Sequence, residues 1–305
     1  FLGCYVLPRA KKEESQPEPE VVEVESTEET QNPEETVEEQ EKEVEAEKEE
    51  PKVVAPTASF VLSEDREGLE AFLRPIATLV DEAVFTVGTE GLTLRQMDAS
   101  RVAMIDFHYR MQNLESFQSL KDGLVCFNIE NMLKVIRRAG KDDKITITSN
   151  PEDTLLKVAI SGKYNRSFNV PCLEPDQDDE VPIPKLTATA KVITTVEQLR
   201  SVVADSELVS DHVKLTTKDD VVQFRANGDL MSAESTWRKT DEALLDVEGE
   251  AKATFSLSYL SDIVKSLPKD TVARIAYADD MPVKIDVSNG IGTLLYFLAP
   301  RVEPD

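Results

Sequence analysis

Residues 92–104 read Leu-Thr-Leu-Arg-Gln-Met-Asp-Ala-Ser-Arg-Val-Ala-Met, and this stretch decides the fold. It contains one predicted strand, Leu92–Met97, and the start of a second, Val102–Tyr109. A third predicted strand, Ala83–Val87, precedes them across a turn with glycines at both ends, residues 88–91. Short strands separated by turns of this kind indicate antiparallel sheet.

Four amphipathic helices are predicted among the strands. The first has apolar residues at helical spacing between Leu69 and Val80, although Pro75 within this run should kink or shorten the helix. The other three apolar stripes lie within 129–136, 196–203 and 260–267. Further strands are predicted at Phe60–Leu62, Leu124–Ile129, Lys144–Ser149, Leu155–Ser161, Ser167–Val170, Ala188–Ile193, His212–Thr217, Val221–Ala226, Met231–Trp237, Ala253–Leu257, Val272–Ala276, Val283–Val287 and Gly292–Leu298.

The order of these elements repeats along the chain. Val80 aligns with Val209, Phe127 with Phe255 and Ile145 with Val272, so the offset stays between 127 and 129 residues. A nearly constant offset indicates an internal duplication. The predicted fold is therefore α+β, with two duplicated domains that each pack two helices on antiparallel sheet. We expect domains at 58–171 and 188–305, joined by a proline-rich and acidic connector at 172–187.

The acidic charge of the chain is unevenly distributed. Of the total net charge of −25, residues 1–57 carry −12, from 18 Glu and six Lys or Arg. This segment has too few large apolar residues to offset the entropy of ordering, so it is predicted to be a disordered tail. It would be either a solvated extension or one that repels DNA from the wrong surface or recruits a basic partner. An acidic chain disfavours bulk binding of nucleic acid but permits a local basic surface.

A basic surface of this kind is predicted on the helices. Lys134, Arg137 and Arg138 lie within about one turn, opposite the apolar stripe of the second helix. The other helices contribute Arg74, Arg200 and Lys265. These cations could simply be solvated outer faces. If all four helices line one surface, however, that surface would hold duplex DNA by phosphate attraction without reading bases.

The sequence offers no signal for catalysis. It has no glycine-rich phosphate loop, nucleophile motif or metal-ligand cluster, so no enzyme activity and no cofactor are predicted. Cys4, Cys126 and Cys172 form no spaced framework and are expected to be small thiols in a reducing compartment. His108 and His212 are interpreted as ordinary strand residues. No apolar run approaches the ~20 residues needed to span a bilayer, so no membrane association is expected.

Two segments resemble a known family. The stretch at 92–104 resembles the "L-x-x-M-D-x-S-x-V" segment of sliding clamps of the proliferating-cell-nuclear-antigen type. Leu-Tyr-Phe-Leu-Ala-Pro-Arg-Val-Glu at 295–303 is similar to their C-terminal "Y-L-A-P-[KR]-[IV]-E". Val-Pro-Ile-Pro at 181–184 resembles their interdomain connector. The resemblance covers about residues 58–303. The residues Ser-Arg-Val and Leu-Ala-Pro-Arg within these motifs look archaeal rather than eukaryotic.

The resemblance implies a DNA polymerase processivity factor. Three subunits would close head to tail into a ring of pseudo-six-fold symmetry around duplex DNA, with the helices lining the hole. Its implied partners are a clamp loader, the replicative DNA polymerase, the flap endonuclease and DNA ligase. It also implies a cytoplasmic, nucleoid-associated location in an archaeal-type cell, or a nuclear one in a eukaryote. The alternatives left open are a paralogue that works only in a heterotrimer, and a duplicated protein-binding scaffold that does not encircle DNA.

The resemblance also implies functional residues. Partner peptides would dock in an apolar pocket formed by Met97, Arg101, Val102, Met104, Val181, Ile183, Pro282, Ala299, Pro300 and Val302. In the channel, Lys134, Arg137 and Lys265 match basic positions of the family, while Arg138 matches less closely and Arg200 is out of register. Glu70 and Ala77 stand where many members carry lysine, so the hole should be less basic than usual. Subunit contacts are expected at one edge strand of each half, through Phe168, Trp237 and Arg238.

Overall fold

Strands and helices follow the same order twice in the computed structural model, which describes residues 51–175, 181–289 and 292–301. The first half contains the helices α1 (Arg66–Ala77) and α2 (Ile129–Ile136). Its strands are β1 (Ser59–Glu64), β2 (Glu82–Gly88), β3 (Gly91–Met97), β4 (Ala103–Arg110), β5 (Ser116–Lys121), β6 (Gly123–Asn128), β7 (Lys144–Ser149), β8 (Leu155–Ser161) and β9 (Arg166–Pro171).

The second half repeats this series. Its helices are α3 (Val196–Glu207) and α4 (Leu257–Ser266). Its strands are β10 (Ala190–Thr195), β11 (His212–Lys218), β12 (Val221–Asn227), β13 (Ser232–Arg238), β14 (Asp246–Gly249), β15 (Ala251–Ser256), β16 (Val272–Tyr277), β17 (Val283–Asn289) and β18 (Gly292–Leu298). Each element of the first half therefore has a counterpart in the second, and the predicted α+β architecture is confirmed.

The strands form antiparallel sheets in which the two halves meet. The first half contributes a sheet ordered β5-β1-β7-β8-β9, and β13-β12-β11-β15 of the second half form another. The remaining strands form one nine-stranded sheet, β14-β10-β16-β17-β18-β4-β3-β2-β6. This sheet is continuous because β18 of the second half pairs with β4 of the first, from Gly292 opposite Tyr109 to Leu298 opposite Ala103. We call this pairing the closed junction.

Helix starts follow local capping chemistry. The side chain of Asp65 accepts a hydrogen bond from the Gly68 amide at 2.7 Å, and that of Asn128 accepts from the Asn131 amide at 3.0 Å. Each helix buries its apolar stripe against the sheets, as Leu69, Phe72 and Leu73 of α1 do. These contacts fix the helices on the sheets with their polar faces outward.

Pro75 is accommodated near the end of α1. A proline lacks the amide that would continue the backbone ladder, and the helix ends two residues later at Ala77. The Pro75 carbonyl accepts hydrogen bonds from the hydroxyls of Thr78 at 2.7 Å and of Tyr296, in β18, at 3.0 Å. Leu79 and Val80 of the predicted stripe are buried, but they lie beyond the helix.

The sequence missed two edge strands, β5 and β14. β5 has the sequence Ser-Phe-Gln-Ser-Leu-Lys with mostly exposed side chains, and β14 has only four residues. Neither carries the alternation of apolar and polar residues that marks a half-buried strand. Their pairing with β1 and β10 is set by the neighbouring strands instead.

The predicted tail at 1–57 needs correction at its C-terminal end. The Val54 amide donates to the Cys172 carbonyl at 3.1 Å, the Glu174 amide to the Lys52 carbonyl at 2.9 Å, and the Thr57 amide to the Leu124 carbonyl at 2.9 Å. Residues 52–57 therefore belong to the folded body, and they run antiparallel to the first residues of the connector. Backbone pairing orders them although their composition is poor in aromatic residues. The rest of the predicted tail, residues 1–50, lies outside the described residues.

Candidate functional site

The four helices lie side by side in one row. Helix α1 packs against α2, α3 packs against α4, and α1 of the first half contacts α4 of the second. The order across the molecule is therefore α2-α1-α4-α3. A single row is what the prediction of one shared helical surface requires.

Three predicted cations cluster at the C-terminal end of α2. Lys134, Arg137 and Arg138 are all exposed, and the negative end of the helix dipole favours cations there. Lys134 Nζ lies 3.4 Å from Asn131 Oδ1, and an Arg137 guanidinium nitrogen lies 4.0 Å from the carboxylate of Glu130. Such loose and exposed contacts stabilise the fold little. The charges thus remain available to an external anion.

Arg200, which was predicted to face DNA, makes its hydrogen bonds within the protein. Its guanidinium donates to the carbonyls of Val264 at 2.7 Å, Lys265 at 2.9 Å and Leu267. These carbonyls lie at the C-terminal end of α4, where they have no partner within the helix. We therefore assign Arg200 to fixing α3 against α4 and leave it out of the proposed DNA-facing set.

The first half contains a similar contact. Arg66 of α1 donates to the Ala139 carbonyl, just after α2, at 3.3 Å and pairs with Glu70 at 2.9 Å. Ala139 and Leu267 occupy equivalent places after the second helix of each half. An arginine on the first helix of each half thus holds the end of the second helix.

Positive charge is concentrated in the first half of the row. Arg74 is exposed in the last turn of α1, close in sequence to the predicted departures Glu70 and Ala77. In the second half, Lys265 pairs with Glu207 at 3.4 Å. The second half also exposes acidic side chains on its helices at Glu197, Asp205, Glu207 and Asp262. The basic surface therefore lies on α2 and the end of α1.

The sheet register brings most of the predicted pocket residues to one end of the nine-stranded sheet. Met97 lies opposite Met104 across β3 and β4. The Ala299 amide, directly after β18, donates to the Val102 carbonyl at 2.9 Å. Pro282 immediately precedes β17, whose first residue lies opposite the last residue of β18. Met104 itself is buried, so it forms the floor of this region and not its surface.

The loop between β3 and β4 is held by Asp98. Its Oδ1 accepts from the amides of Val102 at 2.8 Å and Ala103 at 2.6 Å. Its Oδ2 accepts from the Ser100 amide at 3.0 Å and from the Tyr259 hydroxyl of α4 at 2.7 Å. Burial disfavours the charged carboxylate, but these donors outweigh it and lower the pKa of Asp98.

The C-terminal segment beside the pocket has its own anchor. The Arg301 amide donates to the Thr254 carbonyl at 2.7 Å, and its guanidinium donates to Asp211 Oδ2 at 2.9 Å. A hydrogen bond from His212 and the contact with Arg301 lower the pKa of Asp211 to about 2. These contacts fix Ala299 and Pro300, which are half-buried. Val302, also predicted for the pocket, lies outside the described residues.

The described part of the connector is extended and partly exposed. Val181 is half-buried, Ile183 is 43% exposed, and residues 181–188 have no regular secondary structure. Arg101 is exposed with φ of 56°, which turns the loop after Asp98 sharply. Met281, which precedes Pro282, is also 43% exposed, so both Ile183 and Met281 present apolar surface to solvent.

Sequence reasoning missed the residues that hold this region in place. Asp98 was inside the opening stretch but was not given a role, and Tyr259 was not considered. An aspartate before a tight loop commonly accepts hydrogen bonds from backbone amides nearby, so Asp98 carried a readable local signal. Its contact with Tyr259, 161 residues away, carried none.

The predicted contact strands β9 and β13 are both sheet edges. Among the described residues, β9 pairs only with β8, and β13 only with β12. Phe168 of β9 is half-buried and Arg238 of β13 is exposed. Trp237 is buried against Phe224, with ring centroids 4.5 Å apart, so its indole belongs mainly to the core of its own half.

The described residues offer no large enclosed site. A cavity of about 30 Å³ between α3, α4 and the sheets is lined almost entirely by apolar side chains, including Leu199, Phe224 and Ile285. This is room for about one water molecule, not for a substrate. Cys126 and Cys172 are both buried, and burial raises the pKa of the Cys172 thiol to about 11. No helix in the described ranges combines the length and apolarity needed to cross a membrane.

Comparison with known proteins agrees with this architecture. Residues 69–180 match the family model "Proliferating cell nuclear antigen, N-terminal domain", and residues 183–301 match "Proliferating cell nuclear antigen, C-terminal domain". A DNA polymerase sliding clamp of Pyrococcus abyssi is 34% identical over 243 residues, which are 78% of this chain and 97% of that protein.

Solved structures show the same fold. A crystal structure of PCNA from Thermococcus kodakaraensis matches with a TM-score of 0.75 and 26% identity, over 79% of this chain and all of that one. A structure of Archaeoglobus fulgidus PCNA, described as binding the C-terminal region of FEN-1, matches with a TM-score of 0.72 and 22% identity, over 81% of this chain and all of that one. The chain therefore belongs to the proliferating cell nuclear antigen family of DNA polymerase sliding clamps.

Proposed function

We propose that this chain is one subunit of a trimeric ring that encircles duplex DNA and tethers replication and repair enzymes without catalysing a reaction itself. One observation carries the proposal. The chain closes one junction internally, by pairing β18 with β4, whereas the equivalent strands β9 and β13 are open edges in the part of the chain that the structure describes. In this proposal, residues 58–171 and 188–305 are the two clamp domains and 172–187 is their connector.

The internal repeat supplies the geometry of the ring. At the closed junction α1 contacts α4, and the equivalent helices α3 and α2 are left at the two ends of the row. If β9 of one copy pairs with β13 of the next, α2 and α3 meet in the same way. Such a head-to-tail contact uses two different surfaces and closes when the rotation allows it. Three copies of two equivalent halves give a ring of pseudo-six-fold symmetry with its helices inside.

The register of the open junction follows from the closed one. Phe168 of β9 is the counterpart of Tyr296 of β18, because they lie opposite the equivalent residues Val158 and Ile285. Ala233 of β13 is the counterpart of Ile105 of β4, because they lie opposite the equivalent residues Ala226 and Gln96. Tyr296 faces Ile105 within the chain. Phe168 of one subunit should therefore face Ala233 of the next. Trp237 and Arg238 would then lie at the end of the same strand, as part of the contact.

The DNA-facing surface is proposed on α2 and the end of α1. Lys134, Arg137, Arg138 and Arg74 would contact phosphates, with Lys265 as a weaker contributor because it already pairs with Glu207. Contacts of this kind carry no base sequence information and weaken with salt. Binding inside the ring should therefore be independent of sequence.

Exchanging two charges on α2 tests this function. Lys134→Glu with Arg137→Glu should lower the processivity of a clamp-dependent DNA polymerase while the mass of the ring stays unchanged. The control is Lys157→Glu with Lys191→Glu, which makes the same charge change on exposed strand residues of β8 and β10. Equal processivity of both double variants would refute the assignment of the channel.

Partner peptides are proposed to dock where Val102, Ile183, Pro282, Ala299 and Pro300 converge, with Met97, Arg101 and Val181 nearby. A shallow apolar region beside a flexible connector suits an aromatic anchor of a partner peptide. The expected partners are the replicative polymerase, the clamp loader, the flap endonuclease and DNA ligase. Ile183→Ser with Pro300→Ser should abolish binding of such peptides in a titration while thermal unfolding is preserved. Retained affinity would show that the pocket lies elsewhere.

Two further features belong to the proposal. The protein is proposed to act in the cytoplasm at the nucleoid of an archaeal-type cell, or in the nucleus if its source is eukaryotic. A ring of unlike chains is the remaining alternative to a homotrimer. The two arrangements differ in a direct way, because a heterotrimer subunit would form a ring only after unlike chains are added.

A further inference from the structure

Three large apolar side chains are exposed at one corner of the second half, beside the open edge strand β13. Leu230 is 97% exposed, Leu208 76% and Met231 60%. The loop 228–231, which carries Leu230 and Met231, approaches the turn after α3, which follows Leu208. A Cβ atom on Gly228 would lie only 2.1 Å from the Val209 carbonyl oxygen, so only glycine permits this approach. An apolar group of this size at a sheet edge indicates an interaction site.

The first half contains the counterpart of this loop. The Asp98 amide donates to the Ala103 carbonyl at 3.0 Å, and the Gly228 amide donates to the Met231 carbonyl at 2.9 Å. Both bonds close the loop between the third and fourth strands of their half. Met231 is therefore the counterpart of Ala103, and Leu230 is the counterpart of Val102.

The two counterparts differ in exposure because only one of the two loops is covered within the described part of the chain. Ala103 is 1% exposed and Val102 is half-buried. The covering segment is the one that follows β18, whose Ala299 amide donates to the Val102 carbonyl at 2.9 Å. No segment of the described residues covers the loop at 228–231 in this way.

The segment that would cover the loop can be identified within the same chain. The Leu173 amide donates to the Cys126 carbonyl at 2.9 Å, as the Arg301 amide donates to the Thr254 carbonyl at 2.7 Å. Residues 171–173, which begin at the last residue of β9, therefore correspond to residues 299–301 after β18. Of these three residues Pro171 is exposed, whereas Cys172 and Leu173 are buried in their own subunit. The surface around them is partly apolar, since Val53 and Leu124 beside them are 48% and 39% exposed.

We propose that the loop at 228–231 is a second element of the subunit interface, in which Leu230 and Met231 pack against the exposed side chains around residues 171–173 of a neighbouring copy, namely Pro171, Val53 and Leu124. The proposal rests on the ring proposed above and adds a specific contact to it. The contact extends the strand pairing of β9 and β13 beyond the end of the sheet. Burial of two apolar side chains in each junction strengthens a contact that edge strands of mixed polarity would otherwise make alone.

The test compares two matched double variants of the full chain. Leu230→Ser with Met231→Ser should raise the concentration at which half of the trimer dissociates at least about tenfold, because two apolar contacts are lost from every junction. The control is Leu120→Ser with Leu245→Ser, whose side chains are 60% and 55% exposed but lie on other edges. The control should dissociate like the unmodified chain. Thermal unfolding is also measured at concentrations low enough for the trimer to be fully dissociated. The unfolding temperature should be the same for both variants and the unmodified chain, which would show that the folded subunit is intact.

The outcomes separate the contact from the ring itself. If the unmodified chain forms trimers and the loop variant dissociates at the same concentration as the control, the contact is refuted and the loop serves a different protein. If the unmodified chain stays a single subunit at all concentrations, the proposed ring is refuted, and the contact that rests on it is refuted with it. A tenfold weaker trimer for the loop variant alone supports the contact.

Discussion

The closed junction and the open edges are built from equivalent strands with different chemistry. At the closed junction β18 has the sequence Gly-Thr-Leu-Leu-Tyr-Phe-Leu, and all of its residues are buried except Thr293 and Leu295, which are half-buried. Its counterpart β9 has the sequence Arg-Ser-Phe-Asn-Val-Pro, with only Val170 buried. The chain thus uses apolar packing where the partner strand belongs to the same chain, and mostly polar side chains where, in the proposed ring, the partner strand would belong to another chain.

A second pair of residues shows the same contrast. Arg95 and Asp106 form a cross-strand ion pair at 3.0 Å between β3 and β4, and Arg225 and Glu234 form one at 2.9 Å between β12 and β13. The Asp106 side chain is 4% exposed because β18 covers it, whereas Glu234 is 46% exposed. One duplicated ion pair has become part of a core and the other has stayed at a surface. The difference between the junctions is therefore one of burial, not of strand geometry.

The largest expected effect comes from breaking the closed junction at Tyr296. This side chain is fully buried and its hydroxyl donates to the Pro75 carbonyl, so Tyr296→Ala should lower the free energy of unfolding by about 3–5 kcal/mol. Phe168→Ala, at the equivalent place on the open edge, should cost only about 1–2 kcal/mol in the separated subunit because that ring is half exposed. Urea denaturation at low protein concentration measures both. Equal losses would show that the two junctions do not differ in this way.

The duplicated ion pair provides an intermediate effect. Asp106→Asn should lower the free energy of unfolding by about 2 kcal/mol, because it weakens a charged hydrogen bond to Arg95 in a buried place. Glu234→Gln removes the same charge from an exposed pair and should change stability by less than about 0.5 kcal/mol. Thermal denaturation of the two variants gives the comparison. A larger loss for Glu234→Gln would contradict the account.

The smallest effect concerns the segments that follow β18 and β9, which are held by different anchors. Arg301 pairs with Asp211, while the equivalent segment after β9 is held by Lys52, which pairs with Glu174 at 2.8 Å. The pKa of Asp211 is about 2, below its ordinary value of 3.8. Its contribution to stability is therefore present above pH 3.8 and is lost as the pH falls toward 2.

Removing the Asp211 carboxylate should weaken the dependence of stability on pH between about pH 2 and 4. Asp211→Asn should lose little stability near pH 2 and more above pH 4, as measured by thermal denaturation across that range. The carboxylate is exposed, so the change should be small. A variant with an unaltered pH profile would show that the contact with Arg301 does not persist in solution.

The sequence predicted the repeat and the helices well because both depend on local patterns. The apolar spacing of α2 and the glycine-containing turn before β3 are properties of a few consecutive residues. The two halves could be aligned because their elements keep nearly the same spacing. The family resemblance then supplied the ring, the partners and the pocket residues.

Other features depended on contacts between distant residues and could not be read from the sequence. The role of Arg200 is set by carbonyls more than 60 residues away, and that of Asp98 by Tyr259. The ordered segment at 52–57 depends on backbone hydrogen bonds with Cys172 and Leu124, which composition does not reveal. Such contacts decide whether a charged side chain is available to a ligand or already hydrogen-bonded within the protein. They also decide whether a segment of low-complexity composition is ordered.

The central claim is that β9 and β13 of neighbouring copies repeat the closed junction and complete a ring. Light scattering of the purified chain, measured over a range of concentrations, tests it most directly. The account predicts a mass of three chains at micromolar concentration, and dissociation of this trimer when the protein is diluted further. The variant Phe168→Ala should dissociate at a higher protein concentration than the unmodified chain. A mass of one chain at every concentration would contradict it.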